Sequence, residues 1–222
     1  MHRIALTTTL IAAFALFGGS AEARSLARDA ADALDAIESE TGTRPTITGI
    51  RQTGLPKLLS GSLTRPSDRP AEQIARDFVA RRPGLFPVVA EDLERIRNQR
   101  NAAGRTVRFQ QTYDGLPVIG AVLAVYVRSD GVVRAVASSL EDLGDLDTSP
   151  AVEPIDAAGE ARARSSWFLP AATEFHSRLV VVALPGHGRL AWEIHFGALP
   201  GLLSNPWFYV DAHTGELIRK EN

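Results

Sequence analysis

The side chains able to do chemistry are few. Cysteine is absent, which removes disulfides, thiolate metal sites, iron–sulfur clusters and a cysteine nucleophile together. Five histidines, His2, His176, His187, His195 and His213, are scattered along 222 residues. None lies in an H-E-x-x-H run, the spacing that sets two imidazoles on one helix face around zinc. Glu193 and His195 sit two apart on a predicted strand and so share a face. A zinc ion there would need further converging ligands; the plainer expectation is a half-exposed sheet face. No G-x-S-x-G turn, Walker loop or G-x-G-x-x-G is present, while a Ser-His-Asp triad is spatial and leaves no fixed spacing to read. The paired carboxylates Glu38/Glu40 and Glu141/Asp142 read as solvated clusters, where nothing tunes them for acid–base work. The expectation is a non-catalytic chain with no metal ligands and no cofactor.

Charge points the same way. Lys+Arg number 24 against 26 Asp+Glu, for a formal net charge of −2, which argues against a general nucleic-acid binder. Lysine occurs at Lys57 and Lys220 alone, so nearly every cation is arginine. Hydrophobic residues make up 45% and charged residues 23%, ordinary for a soluble globular protein.

The first 23 residues read as an address. Met1-His2-Arg3 precedes an apolar run from Ile4 to Phe17, and Ala21 and Ala23 form a small-x-small site. Cleavage between Ala23 and Arg24 would release an exported protein, extracellular or periplasmic. The alternative is an uncleaved anchor, although the run is shorter than the roughly 20 apolar residues a spanning helix takes.

The remaining periodicities supply the scaffold. Leu26, Ala30, Ala33, Leu34 and Ile37 predict a helix over Ser25 to Glu40. Pro45 to Leu63 reads as two short extended pieces around Gly54-Leu55-Pro56. Ser67 or Asp68 is expected to cap a second helix, with Pro70 in its first turn, an apolar stripe at Ala71, Ile74, Ala75, Phe78 and Val79, and Arg81-Arg82 in its last turn. Leu85-Phe86 should tuck beneath it. From Arg105 the period changes to two: Val107, Phe109, Gln111 and Tyr113 on one face, Arg108, Gln110 and Thr112 on the other. Turns at Asp114-Gly115 and Ser129-Asp130-Gly131 make this a three-stranded antiparallel meander, with Gly120 as a bulge or bend. Glu141 to Pro154 reads as a linker. A short helix over Pro154 to Arg164 and strands over Phe175 to Leu184, Arg189 to Phe196, Trp207 to Asp211 and Glu216 to Arg219 complete an α+β chain.

Within that scaffold, Arg108-Phe109-Gln110-Gln111, Tyr113, Gly115, Pro117-Val118 and Gly120 resemble the core motif of the fungalysin/thermolysin propeptide domain. Leu59-Ser60-Gly61-Ser62-Leu63 and Asp130-Gly131 resemble its flanking strand and following turn. Leu190-Ala191-Trp192-Glu193-Ile194 and the ending Tyr209-Val210-Asp211-Ala212-His213-Thr214-Gly215-Glu216 resemble a PepSY domain. The resemblance implies two small helix-plus-antiparallel-sheet, cystatin-like modules in tandem: 24–142 propeptide-like and 154–222 PepSY-like, joined by 143–153. It also implies a partner, the catalytic domain of a secreted thermolysin-like zinc metalloprotease. Inhibition or folding assistance would be the function, with Arg108, Phe109, Gln110, Gln111, Tyr113, Gly115, Pro117, Val118, Gly120, Tyr209, Asp211 and Gly215 as the partner-binding motif and the Arg219–Asn222 tail nearest the protease active site. Such prosegments precede a catalytic domain, and none is read before Asn222. Two alternatives stay open: a truncated or split metalloprotease precursor, and an adhesion or binding module using Leu199–Leu203 and Trp207.

Overall fold

A computed structural model describes residues 26–165, 173–197 and 206–221. The signal-cleavage pair Ala23 and Arg24 and the Leu199–Leu203 cluster lie outside them.

Helix α1 (Arg28–Thr41) buries Ala30, Leu34 and Ile37, one residue per turn along one face. Gly42 ends it in the left-handed region, its N–H returning to the Glu38 carbonyl. Strands β1 (Thr46–Ile50) and β2 (Pro56–Ser60) form the expected hairpin. Helix α2 (Ala71–Ala80) buries Ile74, Ala75, Phe78 and Val79, and Phe86 meets Phe78 edge-on at 5.9 Å.

Both ends of α2 differ from expectation. Its N-cap is Pro70, which brings no side-chain cap, because the Ser67 hydroxyl accepts from the Arg69 N–H instead. The helix stops at Ala80, so Arg81 is the C-cap and Arg82 lies beyond it. Arg82 turns inward to pair with Glu40 and to lie over the Phe78 ring. Desolvated pairing outcompetes the dipole contact an exposed arginine would make.

The meander has four strands where three were expected: β3 (Leu93–Asn101), β4 (Gly104–Tyr113), β5 (Leu116–Arg128) and β6 (Val133–Ser138). β3 is an edge strand with Leu93 as its one buried residue, so it carries none of the alternation that marks a half-buried strand. Helix α3 (Pro154–Ala163) follows, then β7 (Phe175–Leu184), β8 (His187–Phe196), β9 (Trp207–Asp211) and β10 (Leu217–Glu221). The last strand begins one residue later than predicted and ends two later.

All ten strands belong to one sheet, β1-β2-β6-β5-β7-β8-β9-β10, with β4 and then β3 branching from β5. α1 and α2 cover one buried cluster with β4, β5 and β6. α3 covers a second, in which Ala157, Ala158 and Ala161 meet Ile194, Phe196, Phe208 and Val210. The small alanines let α3 approach the larger sheet residues closely.

One member of each acidic pair, Glu141 and Glu40, is less solvated than expected. Arg51, 9% exposed, donates to the Leu140 carbonyl and pairs with Glu141; Glu40 pairs with Arg82. Glu193 is 4% exposed and pairs with Arg178 at 2.5 Å, while His195 on the same face stays partly exposed. A buried carboxylate needs such a partner, since an unpaired charge out of water is strongly disfavoured.

Candidate functional site: the splice in strand β5

The distinctive geometry lies where β5 changes neighbours. Its first residues pair with β4 as Leu116↔Tyr113 and Pro117↔Thr112. Pairing resumes at Val122↔Gln110, so the four residues 118–121 face the single residue Gln111. Within this bulge, Val118 and Ile119 pair in parallel with Val181 and Val182 of β7. From Leu123 to Val127 the same strand pairs with β6. One strand thus belongs to both halves of the sheet. A bulge bends a strand and interrupts its ladder, and the interrupted groups need other partners.

The motif glutamines supply them. The Gln110 side-chain amide donates to the carbonyls of Val118 and, at 2.9 Å, Ala121, the two ends of the bulge. Gln111 faces the other side, 3% exposed. Its Nε2 donates to the Glu141 carbonyl at 2.8 Å, and its Oε1 accepts the Glu141 N–H at 3.0 Å. A primary amide carries one donor end and one acceptor end, and so matches a peptide unit as a neighbouring strand would. Ser139 completes the set, its Oγ accepting from Val122 N–H at 2.8 Å and donating to Gly120 O at 2.8 Å. Gly120 takes φ +88°, a region closed to most side chains.

Tyr113, Val118, Leu143 and Val181 share one apolar cluster, and the Tyr113 hydroxyl accepts the Leu146 N–H at 3.0 Å. The segment after Glu141 is therefore strapped across the splice. It continues with Gly188 N–H to Leu143 O at 3.2 Å and reaches the C-terminal turn through Ala151 N–H to Ala212 O at 2.9 Å. Phe109 is fully buried beneath the Arg76 guanidinium, 4.9 Å from its ring. Asp114-Gly115 forms the tight turn with φ of 48° and 79°. Pro117 is partly buried beside it. Arg108 points to solvent, directly opposite Arg97 of β3.

The second motif folds around Asp211, 3% exposed. Its Oδ1 accepts the N–H groups of His213 at 2.9 Å and Thr214 at 2.7 Å, and its Oδ2 pairs with Arg189 at 2.7 Å. Burial by itself would raise this carboxyl; the two N–H groups and Arg189 outweigh it and hold the carboxyl below the ordinary range. Gly215 closes the turn at φ 77°. Tyr209 is buried next to Glu193, and its phenol is pushed up, first by desolvation and then by the carboxylates of Glu193 and Glu221.

Most motif residues thus converge on the β5 splice, and Tyr209, Asp211 and Gly215 form a second centre on β9. Sequence reasoning missed Arg51, Ser139, Leu143 and Arg189, whose partners lie far away in the chain and leave no local pattern. His195 stacks on Trp207 at 4.2 Å and Glu193 is held by Arg178, so the two do not converge. Among the described residues no three His, Asp or Glu side chains are placed to hold a metal ion. These side chains fix backbone shape, and none is poised as a nucleophile with its base.

Residues 95–140 match the Fungalysin/Thermolysin Propeptide Motif, a span that contains β4, β5, β6 and the splice. The thermostable neutral protease NprT of Geobacillus stearothermophilus is 29% identical over 182 residues, covering 75% of this chain and 33% of that protein. Thermolysin of Alicyclobacillus acidocaldarius subsp. acidocaldarius is 31% identical over 186 residues, covering 75% and 32%. Bacillolysin of Bacillus cereus is 23% identical over 177 residues. The Bacillus megaterium YpeB C-terminal domain aligns with a TM-score of 0.40 at 12% identity, over 89% of this chain and 98% of that one. The chain spans about a third of the length of the curated relatives it matches. Its splice is therefore built from a fungalysin/thermolysin propeptide motif, in a chain similar to thermolysin-type proteases over three quarters of its length.

Proposed function

We propose that this chain is a non-catalytic prosegment region that docks on a thermolysin-like zinc metalloprotease domain, holding it inactive and assisting its folding. The observation that carries the reading is the propeptide motif at residues 95–140 together with similarity to thermolysin-type proteases. The site geometry supports it, because the motif side chains shape a sheet and leave no reactive group poised. Recognition then comes from burying sheet and loop surface; a stable interface of this kind covers about 1,200–2,000 Å². In this reading Arg108 makes partner contact directly. Phe109, Gln110, Gln111, Tyr113, Gly115, Pro117, Val118 and Gly120 act by fixing the strand that carries it, and Tyr209, Asp211 and Gly215 do the same for a PepSY-like C-terminal half. Residues 1–23 would direct export, bringing the chain to the compartment of an exported protease.

A second reading is favoured by the chain's span of about a third of its relatives: the same region joined covalently to its catalytic domain. Covalent linkage supplies effective concentration, whereas action in trans needs intrinsic affinity. A downstream H-E-x-x-H-encoding frame would favour the joined form. The test common to both is refolding. A denatured thermolysin-like protease domain is diluted with and without an equimolar amount of this chain. Faster or fuller recovery of folded protease supports the proposal, and identical recovery opposes it.

A further inference from the structure

A cleft of about 430 Å³ opens at the far end of the β3–β4 hairpin, between the start of α2 and the β5–β6 turn. Four arginines line it, Arg69, Arg100, Arg105 and Arg128, against one carboxylate, Asp68. Two of the four are already engaged: Arg69 pairs with Asp77, and Arg128 forms a fork with Asp130. The other two make no ion pair among the described residues. Arg100 and Arg105 stand directly opposite each other on β3 and β4, and Arg105 donates to the neutral Asn98 amide oxygen at 3.4 Å. Among the described residues, no carboxylate lies within ion-pair reach of either. Like charges directly opposite on paired strands are unfavourable, so an anion bound between them would relieve the pair.

The cleft is built rather than incidental. Its walls are stitched by backbone hydrogen bonds, Ser67 N–H to Asp130 O at 3.1 Å and Ser129 N–H to Ala103 O at 3.1 Å. At Gly131, a side chain would begin 1.8 Å from the Ser67 carbonyl oxygen. Pro70, Ala71, Ile74 and Val127 give the cleft an apolar side. The α2 N-terminus borders it without a side-chain cap, adding favourable potential for negative charge. A bare phosphate would leave the apolar side unfilled. Alternating acidic and apolar side chains would match both, within the size range of ordinary ligand pockets.

We infer that this cleft is a binding site for an acidic, partly apolar peptide segment, with Arg100 and Arg105 as the charge-reading pair. The inference stands independently of the protease reading. It is tested by calorimetric titration of the full chain with a capped hexapeptide of alternating Glu and Leu, its Gln/Leu counterpart, and inorganic pyrophosphate. The Glu/Leu peptide should bind, weaken as salt is raised, and outperform the other two. R100Q/R105Q should weaken it about tenfold or more, the scale of losing charge-assisted hydrogen bonds. R164Q, on α3, should leave it unchanged. R105E separates binding from folding: it sets a carboxylate opposite Arg100, so the melting temperature should hold or rise while peptide binding falls. No binding of the Glu/Leu peptide, pyrophosphate binding in its place, or equal binding by wild type and R100Q/R105Q would each overturn the inference.

Discussion

Replacing Gln111 by alanine should unpick the splice at its most buried polar contact. The side chain makes two hydrogen bonds to one peptide unit, to the Glu141 carbonyl at 2.8 Å and from its N–H at 3.0 Å. Each neutral bond contributes about 1 kcal/mol, and leaving the partly buried Glu141 N–H and C=O without partners adds about 1 kcal/mol more. The expected loss is about 3 kcal/mol, or a fall in Tm of about 6–12 °C for a chain of this size. Urea unfolding followed by circular dichroism measures it, with Q99A on the exposed edge strand as the control, expected within about 0.5 kcal/mol of wild type. Q111E separates amide from carboxylate: it still accepts the Glu141 N–H, but turns an acceptor toward the carbonyl and sets a new carboxylate at a 3% exposed position, so at neutral pH it should be at least as destabilised as Q111A. A Q111A loss below about 0.5 kcal/mol, no larger than that control, would refute the assignment of Gln111 as the clamp holding the strap to the splice.

Two further perturbations follow from the same geometry. The Asp211 carboxyl is held below its ordinary range in the folded protein, so its contribution is fully present above the unfolded value and is lost as pH falls through the folded one. Urea midpoints should therefore drop on acidification below about pH 4, and D211N should be less stable at neutral pH with a flatter acid limb; an unchanged limb would contradict the role given to Asp211. Gly120 and Gly131 both have positive φ, at 88° and 78°, but an added Cβ meets nothing within 4 Å at Gly120 and a backbone oxygen at 1.8 Å at Gly131. G120A should cost about 1–2 kcal/mol of conformational strain, and G131A distinctly more, with equal losses counting against the close approach of the α2 loop to the β5–β6 turn.

The sequence pattern located most elements because their burial is one-sided. Ile74, Ala75, Phe78 and Val79 recur at helical spacing and are buried as that spacing requires. Val107, Phe109 and Gln111 alternate and are buried in turn. β3 was illegible, since an edge strand exposed on most of its length shows no alternation. Neither the splice nor the Arg51–Glu141 pair could be read: each depends on partners up to 90 residues apart, and spacing carries no information about such contacts. Gln110 and Gln111 could be named from the motif but not explained. Exposed polar residues on a strand and amides clamped to backbone look alike until the bulge opposite them is known.

The central claim is that this chain acts on a thermolysin-like protease by shape. Titration of the purified protein against a fixed concentration of such a protease, with peptidase activity as the readout, tests it most directly. The account predicts inhibition that saturates near one chain per protease and weakens in R108E, which reverses the charge of the proposed contact residue. Undiminished peptidase activity across the whole titration, with the added chain folded by circular dichroism, would contradict it.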